Sequence, residues 1–310
     1  MNKKHPFSYL FRPADVLLPL AFLFAALLGR GAAALSLFTA LYAAKLCSLA
    51  ASDGLRAAFA SQPSVKYVQG SAVVALIAQL PGAALAALAL HLIPGVRCLV
   101  PLVPCGVLLN AEQVFYEYLY AIGDKKSAMF SRCITAVLTL LGLMLCMPRN
   151  YGARIIAAVD PVWPIITSGL SACVALALCL ALGGKRSPVL NFEVLRRAPL
   201  SMLQAALCPA LLFAALTLLW PAGAIAAPLF AGLVLHEACR APFRRSPLES
   251  RPMNRLLLAV AAVAAVCGAL SRLLPHGPLS DAVAMTSVSL LIAALCAFGL
   301  YGSIPTGQKQ

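Results

Sequence analysis

The chain is predicted to be all-α, a polytopic helical membrane bundle of about ten transmembrane helices with both termini cytoplasmic. Three observations predict this. First, 62% of its 310 residues are hydrophobic and 11% are charged, with a mean hydropathy of +0.90. A water-soluble domain of that size would lack the polar surface to face solvent. Second, apolar runs of about 17–25 residues recur from end to end, the length a bilayer-crossing helix requires. Third, the 24 Lys and Arg residues sort by side: 18 fall in one set of alternating segments, 5 in the other, and Lys45 lies inside a span. That bias is the positive-inside signature of cytoplasmic termini. The net charge of +14 therefore reads as a topology signal and as contact with an anionic leaflet, and it excludes a nucleic-acid partner.

The spans run over 14–29, 32–51, 67–93, 98–122, 131–148, 161–183, 199–219, 222–239, 256–274 and 281–302. Lys3 and Lys4 precede the first, and Ala32-Ala33-Ala34 resembles a signal-peptide cleavage site. Arg30 just before that site, and the spans after it, favour an uncleaved first helix. The second span carries Lys45 about 10 Å from its cytoplasmic end, at a depth similar to that of Glu117. It either snorkels or answers Glu117. Arg56 and Lys66 flank a polar cytoplasmic link. The third span has Gln79 near its middle, followed by Pro81-Gly82, and is expected to kink there.

The fourth span organises the rest. Asn110, Glu112, Gln113, Tyr116, Glu117 and Tyr120 fall within one helical arc of roughly 160°, opposite Leu108, Ala111, Val114, Phe115 and Leu119. Glu112 lies roughly 16 Å from the turn at Gly123-Asp124-Lys125-Lys126, near mid-membrane. A carboxylate there either glues helices together or lines a polar cavity that binds a cation, a proton or a substrate head group. The seventh and eighth spans carry Pro209 and Pro228 about a tight Trp220-Pro221 turn, His236-Glu237 sits just before a basic loop, and the ninth and tenth spans are nearly featureless. The division expected is 1–183, a 184–198 cytoplasmic linker, and 199–310.

Enzyme signatures are missing. Ile122-Gly123-Asp124 lacks one glycine of an intramembrane aspartyl protease run, and Gly183-Gly184-Lys185-Arg186-Ser187 lacks the spacing of a phosphate loop. The eleven cysteines include no Cys-x-x-Cys and no Cys/His cluster, so no metal, cofactor or disulfide is expected.

The run Tyr-Leu-Tyr-Ala-Ile-Gly-Asp-Lys-Lys closing the fourth span resembles one lobe of the multidrug/oligosaccharidyl-lipid/polysaccharide flippase superfamily. So do the following apolar helix, Pro148, Tyr151-Gly152, Ala157-Ala158 and a sixth helix near Ser168. The similarity covers roughly 66–183, and a looser one 195–243. It implies that Gly123, Asp124 and Lys125 form a cytoplasmic turn and that Tyr151-Gly152 is an outer loop. Members have twelve or fourteen helices in two lobes, against ten here. The function expected is transport of a lipid-linked saccharide or small solute across the cell membrane by alternating access, with no ATP site and no catalytic residues. Asn110, Glu112, Gln113, Glu117, Lys45 and Gln79 would line the cavity. Arg56, Lys66, Lys125 and Lys126 would gather anionic head groups. Partners would be membrane lipids (a polyprenyl-linked saccharide among them), a second copy or another membrane subunit. The alternatives are a non-transporting scaffold or subunit derived from such a lobe, and a ten-helix drug/metabolite-type exporter.

Overall fold

The computed structural model describes residues 13–48, 65–146, 158–183, 189–192 and 225–239, with single residues or short pieces elsewhere. Regular structure among them is helical: α1 Pro13–Ala25, α2 Gly31–Cys47, α3 Val65–Leu92, a 3₁₀ turn Arg97–Leu102 leading into α4 Val103–Ala121, α5 Lys125–Leu145, α6 Val162–Leu182 and α7 Ala226–Cys239. The expected spans at 199–219, 256–274 and 281–302, the outer loop around Tyr151-Gly152, and Arg56 lie wholly or largely outside the described residues. The chain forms two compact units. Residues 20–206 make one; residues 1–19 and 207–310 make the other. In the second unit Gly232 of α7 packs on the side chain of Leu212. The site lies in the first.

Five helical stretches are long and apolar enough to cross a membrane: Pro13–Cys47, Tyr67–Leu92, Arg97–Ala121, Lys125–Leu145 and Val162–Leu182. The first stretch holds the two expected spans 14–29 and 32–51 and is bent between them. Leu28 and Gly29 leave helical geometry, Gly29 at φ 82°, a conformation that costs a side chain roughly 1–2 kcal/mol. Sixteen residues apart in one straight helix, Phe22 and Phe38 would be about 24 Å from each other. Their ring centroids are 5.8 Å apart, so the chain doubles back at Gly29.

In α3 to α6 the chain alternates direction. The start of α3, the end of α4 and the end of α6 meet where the side-chain amide of Gln69 donates to Tyr118 Oη at 2.9 Å and to the Gly183 carbonyl at 3.0 Å. At the opposite end, Cys146 Sγ lies 3.2 Å from the Asp160 carbonyl. Two glycines let neighbours close in. A Cβ on Gly106 of α4 would come within 2.8 Å of the Ala40 carbonyl of α2, and one on Gly142 of α5 within 2.3 Å of Thr167 Oγ1 of α6. Small residues at such crossings are how helices pack where lipid removes the hydrophobic drive.

The fifth span needs correction. It begins at Lys125, not 131, because Asp124 caps it: the carboxylate accepts the Ser127 N–H at 3.0 Å and its hydroxyl at 2.9 Å. Those two bonds, the backbone one foremost, hold the Asp124 carboxyl below its ordinary value of 3.8. Gly123, at φ 96°, makes the preceding turn. Arg132, expected in the cytoplasmic segment, is consequently about two turns inside the helix.

Exposure is inverted relative to a soluble bundle. On α6 the buried stripe is Thr167, Ser168, Ser171, Ala172, Ala175 and Cys179, while Val162, Ile166, Leu170 and Leu180 point outward. On α5 the buried stripe is Ala128, Ser131, Arg132, Thr135, Thr139, Gly142 and Leu143, and Phe130, Val137, Leu141 and Leu145 are exposed. Polar and small inside, apolar outside is the pattern of helices solvated by acyl chains. With the five long apolar stretches, it marks a membrane protein.

Candidate functional site

Helix α4 is surrounded. Gly106 faces α2, Leu108 meets Gly169 of α6, Tyr118 meets Gln69 of α3, and Glu112 meets α5. The polar arc anticipated for this helix therefore lies largely inside the bundle, while Leu108, Ala111 and Phe115 of its apolar side are half-buried. Leu109, Val114 and Leu119 are buried alongside Asn110, Glu112, Tyr116 and Glu117. Gln113 and Tyr120 are half-buried.

At the centre of the site Glu112 and Arg132 form a salt bridge, Arg132 Nη1 to Glu112 Oε2, with side chains 0% and 4% exposed. Ser131 Oγ donates to the other carboxylate oxygen at 3.4 Å. The guanidinium also lies over the Tyr116 ring, 5.3 Å from its centroid, where the ring's negative face adds attraction. Glu112 is nine residues up α4 from Ala121 and Arg132 eight residues into α5 from its cap, roughly 12–14 Å from the turn joining the two helices. Two charges of opposite sign thus face one another at equal depth across a helical hairpin. The pairing offsets part of the cost of a lone carboxylate that the sequence implied for Glu112.

Arg132 was not recognised as a site residue from the sequence, since it was counted as a loop cation. A signal was present: Ser131, Arg132, Thr135, Thr139 and Gly142 recur at helical spacing, a polar stripe on one face of α5. Taking Arg132 out of the charge count removes one residue from the larger side and leaves the asymmetry standing.

Not every buried hydroxyl is available to a ligand. Thr135 donates to the Ser131 carbonyl at 3.0 Å, Thr167 to the Trp163 carbonyl at 2.9 Å and Ser171 to the Thr167 carbonyl at 2.9 Å. These hydroxyls are satisfied by their own helices. The side-chain nitrogens of Gln79 and Asn110 and the hydroxyl of Thr139 are different, being buried with no hydrogen-bond partner. Such groups are destabilising unless water or a ligand meets them. Gln79 lies roughly 15 Å above Gln69 on α3, and Asn110 roughly 12 Å above Tyr118 on α4, so the two amides sit at nearly one depth.

The remaining expected site residues are distributed as follows. Glu117 is 1% exposed. Lys45 lies half-buried, its Nζ 5.7 Å from the centroid of the Tyr42 ring. Lys125 Nζ stands 5.6 Å from the Tyr120 centroid at the turn, and Lys126 is exposed beside it. Lys66 falls in the first turn of α3. Gln79 and Asn110 are inside; Lys125, Lys126, Gly123 and Asp124 are at the end of the hairpin. Comparison with known proteins yields no relative: no family model, curated protein or solved structure matches the chain.

Proposed function

We propose that the protein is a membrane transporter of the flippase kind, moving a lipid-linked saccharide or a small anionic solute by alternating access. The observation that carries this reading is the ion pair of Glu112 and Arg132, buried among helices that otherwise turn apolar residues outward. A membrane bundle that needed only to be stable would do as well with packed apolar side chains at that point, because a buried pair repays its desolvation poorly. A guanidinium held by one carboxylate is suited to exchange: its planar fork matches a phosphate or carboxylate group, and an arriving anion competes with Glu112 for it. Gln113, Glu117, Asn110 and Gln79 would supply the uncharged and acidic wall, with Lys45 answering Glu117. Lys66, Lys125 and Lys126, and Arg56 in the same cytoplasmic segments, would concentrate anionic head groups at the cytoplasmic face. In this proposal the full chain has about ten spans with both termini in the cytoplasm of a plasma membrane. Transport draws on an ion gradient or on the substrate's own gradient.

The test is flux in proteoliposomes. A fluorescent short-chain polyprenyl diphosphate serves as probe, and dithionite quenching of the outer leaflet is the readout. Protein-dependent scrambling that is lost in Glu112→Gln/Glu117→Gln supports the reading. Flux retained in that double variant overturns the assignment of the cavity.

A second reading has an observation in its favour. Glu112 is already satisfied inside the chain by Arg132 and Ser131, as a fastening between two helices of a non-transporting membrane subunit would be. The exchanged pair Glu112→Arg/Arg132→Glu separates the two. It keeps the fastening, so a subunit retains its complex, whereas a transporter loses the register of its anion site and its flux falls.

A further inference from the structure

The sequence reading gave no role to Gln69, Tyr118, Gly183 or the residues near 190, yet the structure gathers them at one end of the bundle. Gln69 stands in the second turn of α3. Its amide nitrogen gives one hydrogen to Tyr118 Oη at 2.9 Å, near the end of α4, and the other to the Gly183 carbonyl at 3.0 Å, just past the end of α6. One NH₂ group thus uses both of its donors on two other helices. The next two residues of α3 are engaged as well. Asn191 Nδ2 donates to the hydroxyl of Ser71 at 3.2 Å, and Ser71 is 0% exposed. A Cβ on Gly70 would lie 1.7 Å from the Val189 carbonyl oxygen, so only glycine lets that backbone rest on α3. Three consecutive residues, Gln69, Gly70 and Ser71, therefore bind chain that follows α6.

Among the described residues no charge takes part in these contacts, and each bond is between neutral groups. A neutral hydrogen bond of that kind contributes little net stability, which suits an element that must let go. Directly behind it, one turn back from Gly183 in α6, Cys179 Sγ lies 3.6 Å from the Phe115 carbonyl of α4, and Cys179 is 9% exposed.

We propose that Gln69 is the latch of a gate: with Gly70 and Ser71 it clasps the ends of α4 and α6 and residues 189–191, and its release opens this end of the bundle to the polar interior. This deepens the transport reading. In that reading the gated end is the cytoplasmic one and the interior it guards is that of Glu112 and Arg132. The latch itself is read without measuring transport.

The experiment is alkylation of the full-length protein in membranes by N-ethylmaleimide, with the rate at each cysteine read by peptide mass spectrometry. Gln69→Ala is expected to speed modification of Cys179 roughly tenfold, the factor that follows from losing two neutral hydrogen bonds. Tyr118→Phe, which removes one acceptor and keeps the ring, should give a smaller rise. Gly70→Ala, which pushes residues 189–191 off α3, should act in the same direction as Gln69→Ala. Cys105, 0% exposed in the first turn of α4 at the other end, is the internal control and should not change. Should Gln69→Ala fail to fold, Gln69→Met keeps the volume and removes both bonds. An unchanged rate at Cys179 overturns the latch, and so does an equal rise at Cys105, which would mean general loosening. Faster Cys179 labelling in a protein that shows no flux retains the latch and overturns only the transport reading.

Discussion

Glu112→Leu leaves the Arg132 guanidinium, 4% exposed, with its carboxylate gone. Removing one partner of a buried pair destabilises by about 3–5 kcal/mol, because the surviving charge remains out of water. Arg132→Met does the same to the carboxylate of Glu112, which keeps only the long Ser131 contact of 3.4 Å. If the two effects were independent they would sum to roughly 6–10 kcal/mol. The double variant carries no buried charge at all and places apolar side chains of similar bulk between α4 and α5, so it should fall within about 2 kcal/mol of the parent. The assay is reversible unfolding in mixed micelles at increasing mole fraction of dodecyl sulfate, followed by far-ultraviolet circular dichroism, for all four proteins of the cycle. Single variants that each cost under about 1 kcal/mol would mean that water reaches the pair and solvates whichever charge remains. A double variant as unstable as the sum of the singles would refute the coupling itself. Glu112→Gln should lie between parent and Glu112→Leu, since its amide oxygen still accepts one hydrogen bond from the guanidinium.

Two glycines of α4 and α6 should behave differently. Gly106→Ala sets a methyl 2.8 Å from the Ala40 carbonyl and 2.9 Å from Leu41 Cα, and forcing α2 from α4 should cost about 1–3 kcal/mol. Gly169→Ala meets only Leu108 Cδ1, at 3.9 Å, and should be tolerated in the same unfolding assay. Asp124 is a pH test of the α5 cap. Its carboxyl is held below the ordinary 3.8, so the stability it supplies is present above that value and is lost as the pH falls through the lowered pKa. The thermal midpoint of the parent should thus exceed that of Asp124→Ala at about pH 7 and converge on it as the pH falls progressively below 3.8. A difference between them that does not depend on pH would remove the carboxylate from the cap.

How much of this was readable without coordinates depends on what kind of signal each residue gave. Long apolar runs located α2, α3, α4 and α6 closely, since length and hydropathy are local properties. The turn at Gly29 was also legible, because glycine flanking an arginine interrupts two short runs. The start of α5 was not. Lys125 and Lys126 look like a loop to any reading based on charge, and what decides the matter is a cap hydrogen bond from Ser127 to Asp124. Glu112 stood out as a buried carboxylate at once. Its partner was missed because counting cations by side assigns every arginine near a turn to the aqueous phase, and whether a guanidinium turns inward depends on what the adjacent helix presents. Nor could the role of Gln69 be read. Its meaning comes from residues 49 and 114 positions away, brought to it by the alternation of helices.

The short turn Ile122–Asp124 that joins α4 to α5 carries a consequence for how the protein is made. An arginine near the middle of a span raises the cost of inserting that span by about 2.5–3.5 kcal/mol, and a glutamate in the helix before it is also unfavourable there. With only three residues between them, neither helix can settle in lipid far from the other, and the two charges can be neutralised while both segments are still leaving the translocation channel. The hairpin, not the single helix, is then the unit that partitions. In a glycosylation-mapping assay α5 alone should insert less completely than α4 and α5 together. Exchanging Glu112 for lysine should return the pair to the poorer efficiency of the isolated helix. Equal insertion of α5 with and without α4 would show that Arg132 enters the membrane unaided.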